Sequence, residues 1–245
     1  MNTNELCVDL SDLLKIAEEL NHNKDLDSLL DNILREARKS TGADAGSIFI
    51  AEKNMLKFSY VQNDTISKRE HNKNKYIYSE LTVPIDTNSI AGYVAVTGKN
   101  VNIPDAYNTD SSLPFTLNRS FDEKSNYKTI SILAVPLVTS QNKTVGVMQL
   151  INSLDSKGNI RPFTENHEKF ANFIAANASV AVERALMTRQ NILRMVKMSE
   201  LRDPKETGNH VNRVGSYCVE IYDAWSRKNG IDSSERRRFK DILKI

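Results

Sequence analysis

Cysteine is scarce in this chain of 245 residues: Cys7 and Cys218 stand far apart, and neither has a CxxC neighbour. That excludes a zinc knuckle or a dithiol redox motif of ordinary spacing and fits a reducing compartment. The N-terminal stretch MNTNELCVDL lacks a basic segment followed by an apolar core, which argues against a secretion signal. No apolar run approaches the ~20 residues that span a bilayer, so a cytoplasmic protein without membrane insertion is expected. An excess of one charge is missing too. Lys and Arg total 33 against 31 Asp and Glu, a net charge of +2. Bulk electrostatics therefore offers no case for a nucleic-acid partner. The local run Arg236, Arg237, Arg238, Phe239, Lys240 reads as a solvated helix face.

What is present is ordinary for a globular protein: 26% charged and 40% apolar residues. The length suits one large domain or one and a half ordinary ones. Leu6, Leu10, Leu13, Leu14, Ala17 and Leu20 recur at helical steps. A second helix is expected from Asp25, its N-cap, through Leu26, Leu29, Leu30, Ile33, Leu34 and Ala37 to Gly42. Strands are predicted at 45–50 and 55–61, joined by Glu52, Lys53 and Asn54. Residues 63–75 read as a loop and 76–85 as a strand. Asn88 or Ser89 caps a short helix that Gly98 closes, and 102–118 reads as loop. Strands follow at 130–138 and 144–152, with Gly146 marking a bulge or a close approach. From Thr164 a helical pattern runs without Gly or Pro to about Arg202. Its seam of Ile174, Ala178, Ala181, Ala185, Thr188, Ile192, Met195 and Ser199 has the 3.5 period of a coiled coil. The expected architecture is α+β: a central antiparallel sheet with helices on one side, then a long helix.

Several segments resemble one family in order. YKTISILAVPLVTSQNKTVGVMQLINSLDSKGNIRPFTENHEKF, residues 127–170, is similar to the last two strands and closing helix of a GAF domain. DAGSIFI and SIAGYVAVTGKNVNIPDAY fit its first strand and its middle helix and loop. The resemblance spans residues 5–187 and implies a sensory domain whose cavity lies between the sheet and its loop-rich face. The candidate pocket residues are Ser89, Ile90, Ala91, Asp122, Asn152 and Phe163. Ser89, Ile90 and Ala91 open a helix whose free N–H groups suit an anionic ligand. The loops 63–75 and 103–126 are placed to close over it. Cyclic-nucleotide members carry an Asn-Lys…Phe…Asp-Glu motif. Asn152, Phe163 and Glu168 match it, while Ser153 and His167 replace the Lys and the Asp. That departure removes an expected salt bridge and weighs against a cyclic nucleotide. No cysteine suits covalent tetrapyrrole attachment, and His71 and His167 read as surface histidines.

Beyond a linker helix at 188–203, RDPKETGNHVNR resembles the start of an HD-GYP domain, a metal-dependent cyclic di-GMP phosphodiesterase family. Arg202, Asp203, Thr207, Gly208, His210 and Arg213 match its pattern. The resemblance makes Glu206 and His210 metal ligands, four residues apart on one helix face. An HD dyad should follow, yet residues 198–245 end before it, an incomplete HD-GYP start. Two ligands cannot hold a di-metal pair, so no catalysis and no cofactor are expected of this chain. A pair of Fe or Mn ions is expected only in a longer parent. The implied function is a small-ligand sensor controlling a cyclic di-GMP phosphodiesterase, homodimeric through the long helix. The alternatives are a cyclic-nucleotide-binding module or a dimerisation adaptor without ligand.

Overall fold

The structure is a computed structural model that describes residues 26–69, 82–108, 113–116, 119–202 and 207–231. The helix expected at 6–20, the Asp25 cap, His71, most of the 76–85 strand, Glu206 and the basic run at 236–240 lie outside those residues. The chain divides into two compact units, Met1–Glu183 and Arg184–Ile245.

In the first unit, α1 (Leu26–Thr41) buries Leu29, Leu30, Ile33, Leu34 and Ala37, the positions its 3–4 spacing selects. It leads directly into β1 (Ala43–Glu52), which turns at Lys53–Asn54 into β2 (Met55–Asn63). The remaining strands are β3 (Thr82–Pro84), β4 (Val101–Ile103), β5 (Ile132–Val138), β6 (Thr144–Leu154) and β7 (Ile160–Arg161). Their order across the sheet is β3-β2-β1-β6-β5-β4, with β7 on β6, and every pairing is antiparallel. The expected strands thus form the centre of the sheet.

Strand alternation separates two faces. Gly46, Ile48, Met148, Leu150, Leu133 and Leu137 share the α1 face, where a Cβ on Gly46 would meet Leu34 Cδ1 at 2.9 Å. Gly146 lies on the same face. A Cβ there would sit 2.3 Å from the Phe49 carbonyl oxygen, so the expected close approach is real. The opposite face is covered by α3 (Ile90–Thr97) and by residues of the following loop.

Two expectations are corrected. The segment read as loop from 63 begins with a helix, α2 (Asp64–Arg69), where Asn63 Oδ1 accepts the Ile66 N–H at 2.8 Å. β4 takes the first residues of the loop expected at 102–118, and a short helix, α4 (Ser120–Ser125), stands within the covering loop expected at 103–126. Both helices are six-residue pieces that periodicity cannot register.

The long helix is α5 (Glu165–Arg202). Its first part buries Phe170, Ala171, Ile174, Ala175, Ala178 and Val182. In the second unit Ile192, Leu193, Met195 and Met198 are exposed on it. That unit also holds α6 (Thr207–Lys228), which exposes Val214, Tyr217, Ile221 and Trp225 at steps of three and four. Among the described residues no helix is long and apolar enough to cross a membrane.

Candidate ligand-binding face

The α3 face is built on a row of side chains from the central strands. Phe49 pairs with Val147, Ser47 with Gln149, and Ala45 with Ile151. Gln149 is opposed on its other side by Ala134. Phe49 and Val147 at one end of the row, and Ala134 and Ile132 along its β5 side, pack with Ile90, Ala91, Val94 and Ala95 of α3 and with Ala106 and Phe115. Phe58 and Tyr93 flank this cluster, at ring-centroid distances of 4.1 Å from Phe49 and 5.0 Å from Phe115. At the other end, Ala45, Ile66 and Tyr127 form a smaller cluster with Ile151 against it. Ser47 and Gln149 lie between the two. They place a hydroxyl and a carboxamide on a face that is otherwise apolar, and Ser47 is buried.

The cover owes its position to caps. Ser89 has extended backbone (φ −117°, ψ 156°), and its Oγ accepts the Gly92 N–H at 3.0 Å. Gly98 closes α3 at φ 64°, as its sequence position implied. A Cβ on Gly92 would lie 2.5 Å from the Asp86 carbonyl oxygen and 2.7 Å from that of Pro84. The 84–86 backbone therefore crosses tightly over the first turn of α3.

The expected pocket residues fall into three places. Ser89 caps α3, and Ile90 and Ala91 sit in the apolar cluster. Asp122 and Asn152 instead brace the same segment, 127–131. Asp122 Oδ2 accepts the Tyr107 hydroxyl and the Thr129 N–H, both at 2.7 Å, while Oδ1 accepts the Thr129 hydroxyl at 2.8 Å. Asn152, at φ 57°, accepts the Ile130 and Ser131 N–H groups on Oδ1, at 2.8 and 3.2 Å. Its Nδ2 donates to Lys128 O at 2.8 Å and Tyr127 Oη at 3.0 Å. Burial, then the nearby Asp44 carboxylate, raises the Tyr127 pKa, so its phenol stays protonated. Phe163 is buried beside β4, where its carbonyl accepts the Asn102 amide at 3.2 Å.

The two positions that depart from the cyclic-nucleotide motif each have local work. The Ser153 hydroxyl donates to Thr41 O at 2.8 Å. His167 closes a capping box: its N–H donates to Thr164 Oγ1 at 3.3 Å, and its Nδ1 accepts the Thr164 N–H at 3.4 Å. Accepting at Nδ1 requires a neutral ring, and burial, with a contribution from the Arg161 charge, lowers the His167 pKa accordingly. Glu168 accepts the Asn100 amide at 2.8 Å. Ser47 and Gln149 did not figure among the expected residues. Their signal was available: each is a polar residue within a strand that is otherwise largely apolar around it.

Comparison with known proteins fits this geometry. The GAF domain model matches residues 25–182. The chain belongs to the GAF domain family. It is 34% identical over 142 residues to the dual 3',5'-cyclic-AMP and -GMP phosphodiesterase 11 of Drosophila melanogaster, covering 58% of this chain and 9% of that protein. It is 32% identical over 178 residues to phosphodiesterase 11A of Takifugu rubripes, covering 70% and 18%. The match is thus a small part of either relative. Among solved structures, the GAF domain of an Acinetobacter phosphoenolpyruvate-protein phosphotransferase aligns with a TM-score of 0.57 at 18% identity, over 74% of this chain and 96% of that one. A GAF domain/HD domain protein from Geobacter sulfurreducens aligns at 0.50 with 12% identity, over 70% and 98%. At those identities the likeness concerns the fold.

Of the proposed metal ligands, Glu206 lies outside the described residues and His210 is on the backbone of α6. Among the described residues no group of three or more His, Cys, Asp or Glu is placed to hold a metal ion.

Proposed function

We propose that the GAF domain is a regulatory module that binds a small ligand on the α3 face. The observation that carries this reading is the Ser47–Gln149 row set between two apolar clusters. A face meant only for packing gains nothing from a carboxamide there, because a polar group removed from water needs a partner. Aromatic side chains with a few hydrogen-bonding groups are the usual lining of a small-molecule site. Tm measurements with cyclic AMP, cyclic GMP, cyclic di-GMP and a metabolite panel test it. One compound should raise the Tm of the chain, and Gln149→Leu should abolish that rise without lowering the unliganded Tm much. A panel without any response, or a rise unchanged in Gln149→Leu, would remove the reading.

The ligand signal is read out, in this proposal, along α5 of a homodimer to an output of the HD-GYP kind, a cyclic di-GMP phosphodiesterase. The RDPKETGNH run and the Geobacter neighbour named for both domains support it. The chain alone is expected to be inactive on cyclic di-GMP with Mn²⁺ or Fe²⁺. Turnover abolished by His210→Ala would overturn that expectation. A second reading, a cyclic-nucleotide sensor, draws on the phosphodiesterase names of the two relatives. It requires recognition without the Lys–Asp pair that Ser153 and His167 replace. A response to cyclic AMP or cyclic GMP, and to no other compound, would favour it.

A further inference from the structure

Arg38 joins α1 to elements that serve the other face of the sheet. It is 7% exposed, and its stem lies where Gly46 leaves room: a Cβ there would be 3.1 and 3.2 Å from Arg38 Cγ and Cδ. Its Nη2 donates to Asp44 O at 2.7 Å and pairs with Asp64 Oδ1 at 2.6 Å, while Nη1 donates to Gln62 Oε1 at 3.1 Å. Its Nε is buried without a partner. Gln62 Nε2 returns to α1, donating to Asp31 O at 2.8 Å and Asp31 Oδ1 at 3.0 Å. One guanidinium thus gathers α1, β1, β2 and the first residue of α2.

The contacts close into a circuit. Asp64 and Ile66 stand on the same turn of α2, and Ile66 packs with Tyr127 and Ala45 on the α3 side of the sheet. The Tyr127 hydroxyl donates to Asp44 Oδ2 at 2.9 Å, and the Asp44 carbonyl accepts from Arg38. The Asp64 carboxylate is 58% exposed, so the ion pair adds little stability of its own. Losing it has a different consequence. The guanidinium, already short of one partner, would remain buried with only Gln62 and one carbonyl, which is costly. Displacing α2 therefore penalises the present seating of Arg38 and with it of α1.

We infer that Arg38 couples the seating of α2, beside the ligand-binding face, to the seating of α1 on the opposite face. The coupling supplies regulation to the sensory reading above and rests on that reading for its purpose. Its existence can be tested with no ligand added. Amide hydrogen exchange, followed by mass spectrometry on the full chain, compares two ways of loosening α2. Asp64→Ala cuts the ion pair at an exposed carboxylate. Lys68→Gly frays α2 at an exposed position and leaves the pair in place. Both should speed exchange in residues 64–69. Only Asp64→Ala should speed it in residues 31–41, by about fivefold, the scale of one ordinary hydrogen bond, and Asp64→Glu should restore the wild-type rate. Unchanged exchange in 31–41 for Asp64→Ala, or an equal increase with Lys68→Gly, would overturn the coupling. Either result leaves the ligand reading standing, and a failed ligand screen leaves this measurement intact.

Discussion

On the α1 side of the sheet the buried residues are large and aliphatic: Leu30, Ile33, Leu34, Ile48, Leu133, Leu137, Met148 and Leu150 are fully enclosed. Beneath α3 the set is mixed: Leu56, Ile90, Val94, Ile132 and Val147 pack with the alanines Ala91, Ala95, Ala106 and Ala134 and with the rings of Phe49 and Phe115. α1, sixteen residues long, packs on β1, β2 and β6 of the first set. The second is covered by one eight-residue helix and by loop positions. Close-packed aliphatic chains in fixed rotamers supply stability. A mixed set of aliphatic chains, alanines and rings, with the polar Ser47 and Gln149 on the same face, offers more opportunity for recognition. Under the proposed function, the difference means that one sheet separates holding the fold from ligand recognition.

Substitutions can break that contrast. Leu34→Ala removes an enclosed side chain from the α1 side and should cost about 4 kcal/mol in denaturant unfolding, with any ligand response retained. Gly146→Ala forces a methyl against the Phe49 carbonyl between the two central strands and should cost about 3 kcal/mol. Phe115→Ala acts on the cover of the other face. It should cost only about 2 kcal/mol, because a loop relaxes where a helix cannot, and it should weaken ligand binding. A loss as large as that of Leu34→Ala would erase the distinction between the faces.

The smallest effect lies at the start of α5 and provides a baseline for both faces. His167 has a pKa lowered from the ordinary histidine value of 6.5, so its folded form disfavours the proton. Its contribution is fully present above about pH 6.5 and is lost as pH falls through the lowered pKa. His167→Glu restores the usual capping-box residue and should add about 0.5 kcal/mol at pH 7. It should also remove the histidine's part of the decline in acid. Unfolding curves at several pH values read both effects.

Much of the framework was legible because its signals are local. The apolar, β-rich runs of β1, β5 and β6, the Ser89 and Gly98 caps and the unbroken run to Arg202 each declare themselves within a few residues. α2 and α4 were not legible: DTISKR carries a single inward apolar residue, Ile66, and SFDEKS is shorter than two turns. The candidate site was legible only in part. Asp122 and Asn152 looked like pocket residues, but their hydrogen bonds run to residues 107 and 127–131, which no spacing reveals. The role of Arg38 depends on Gly46, Gln62 and Asp64, partners 8 to 26 positions away. Such partnerships arise from tertiary packing and leave no period in the sequence.

The central claim is that a ligand is bound on the α3 face. Amide exchange with and without the compound that raises the Tm locates it directly. Protection should appear in Ile90–Thr97 and in β4, and in the central strands at Ser47 and Gln149. Protection confined to α1, or none in α3 and β4 at saturating compound, would contradict the account.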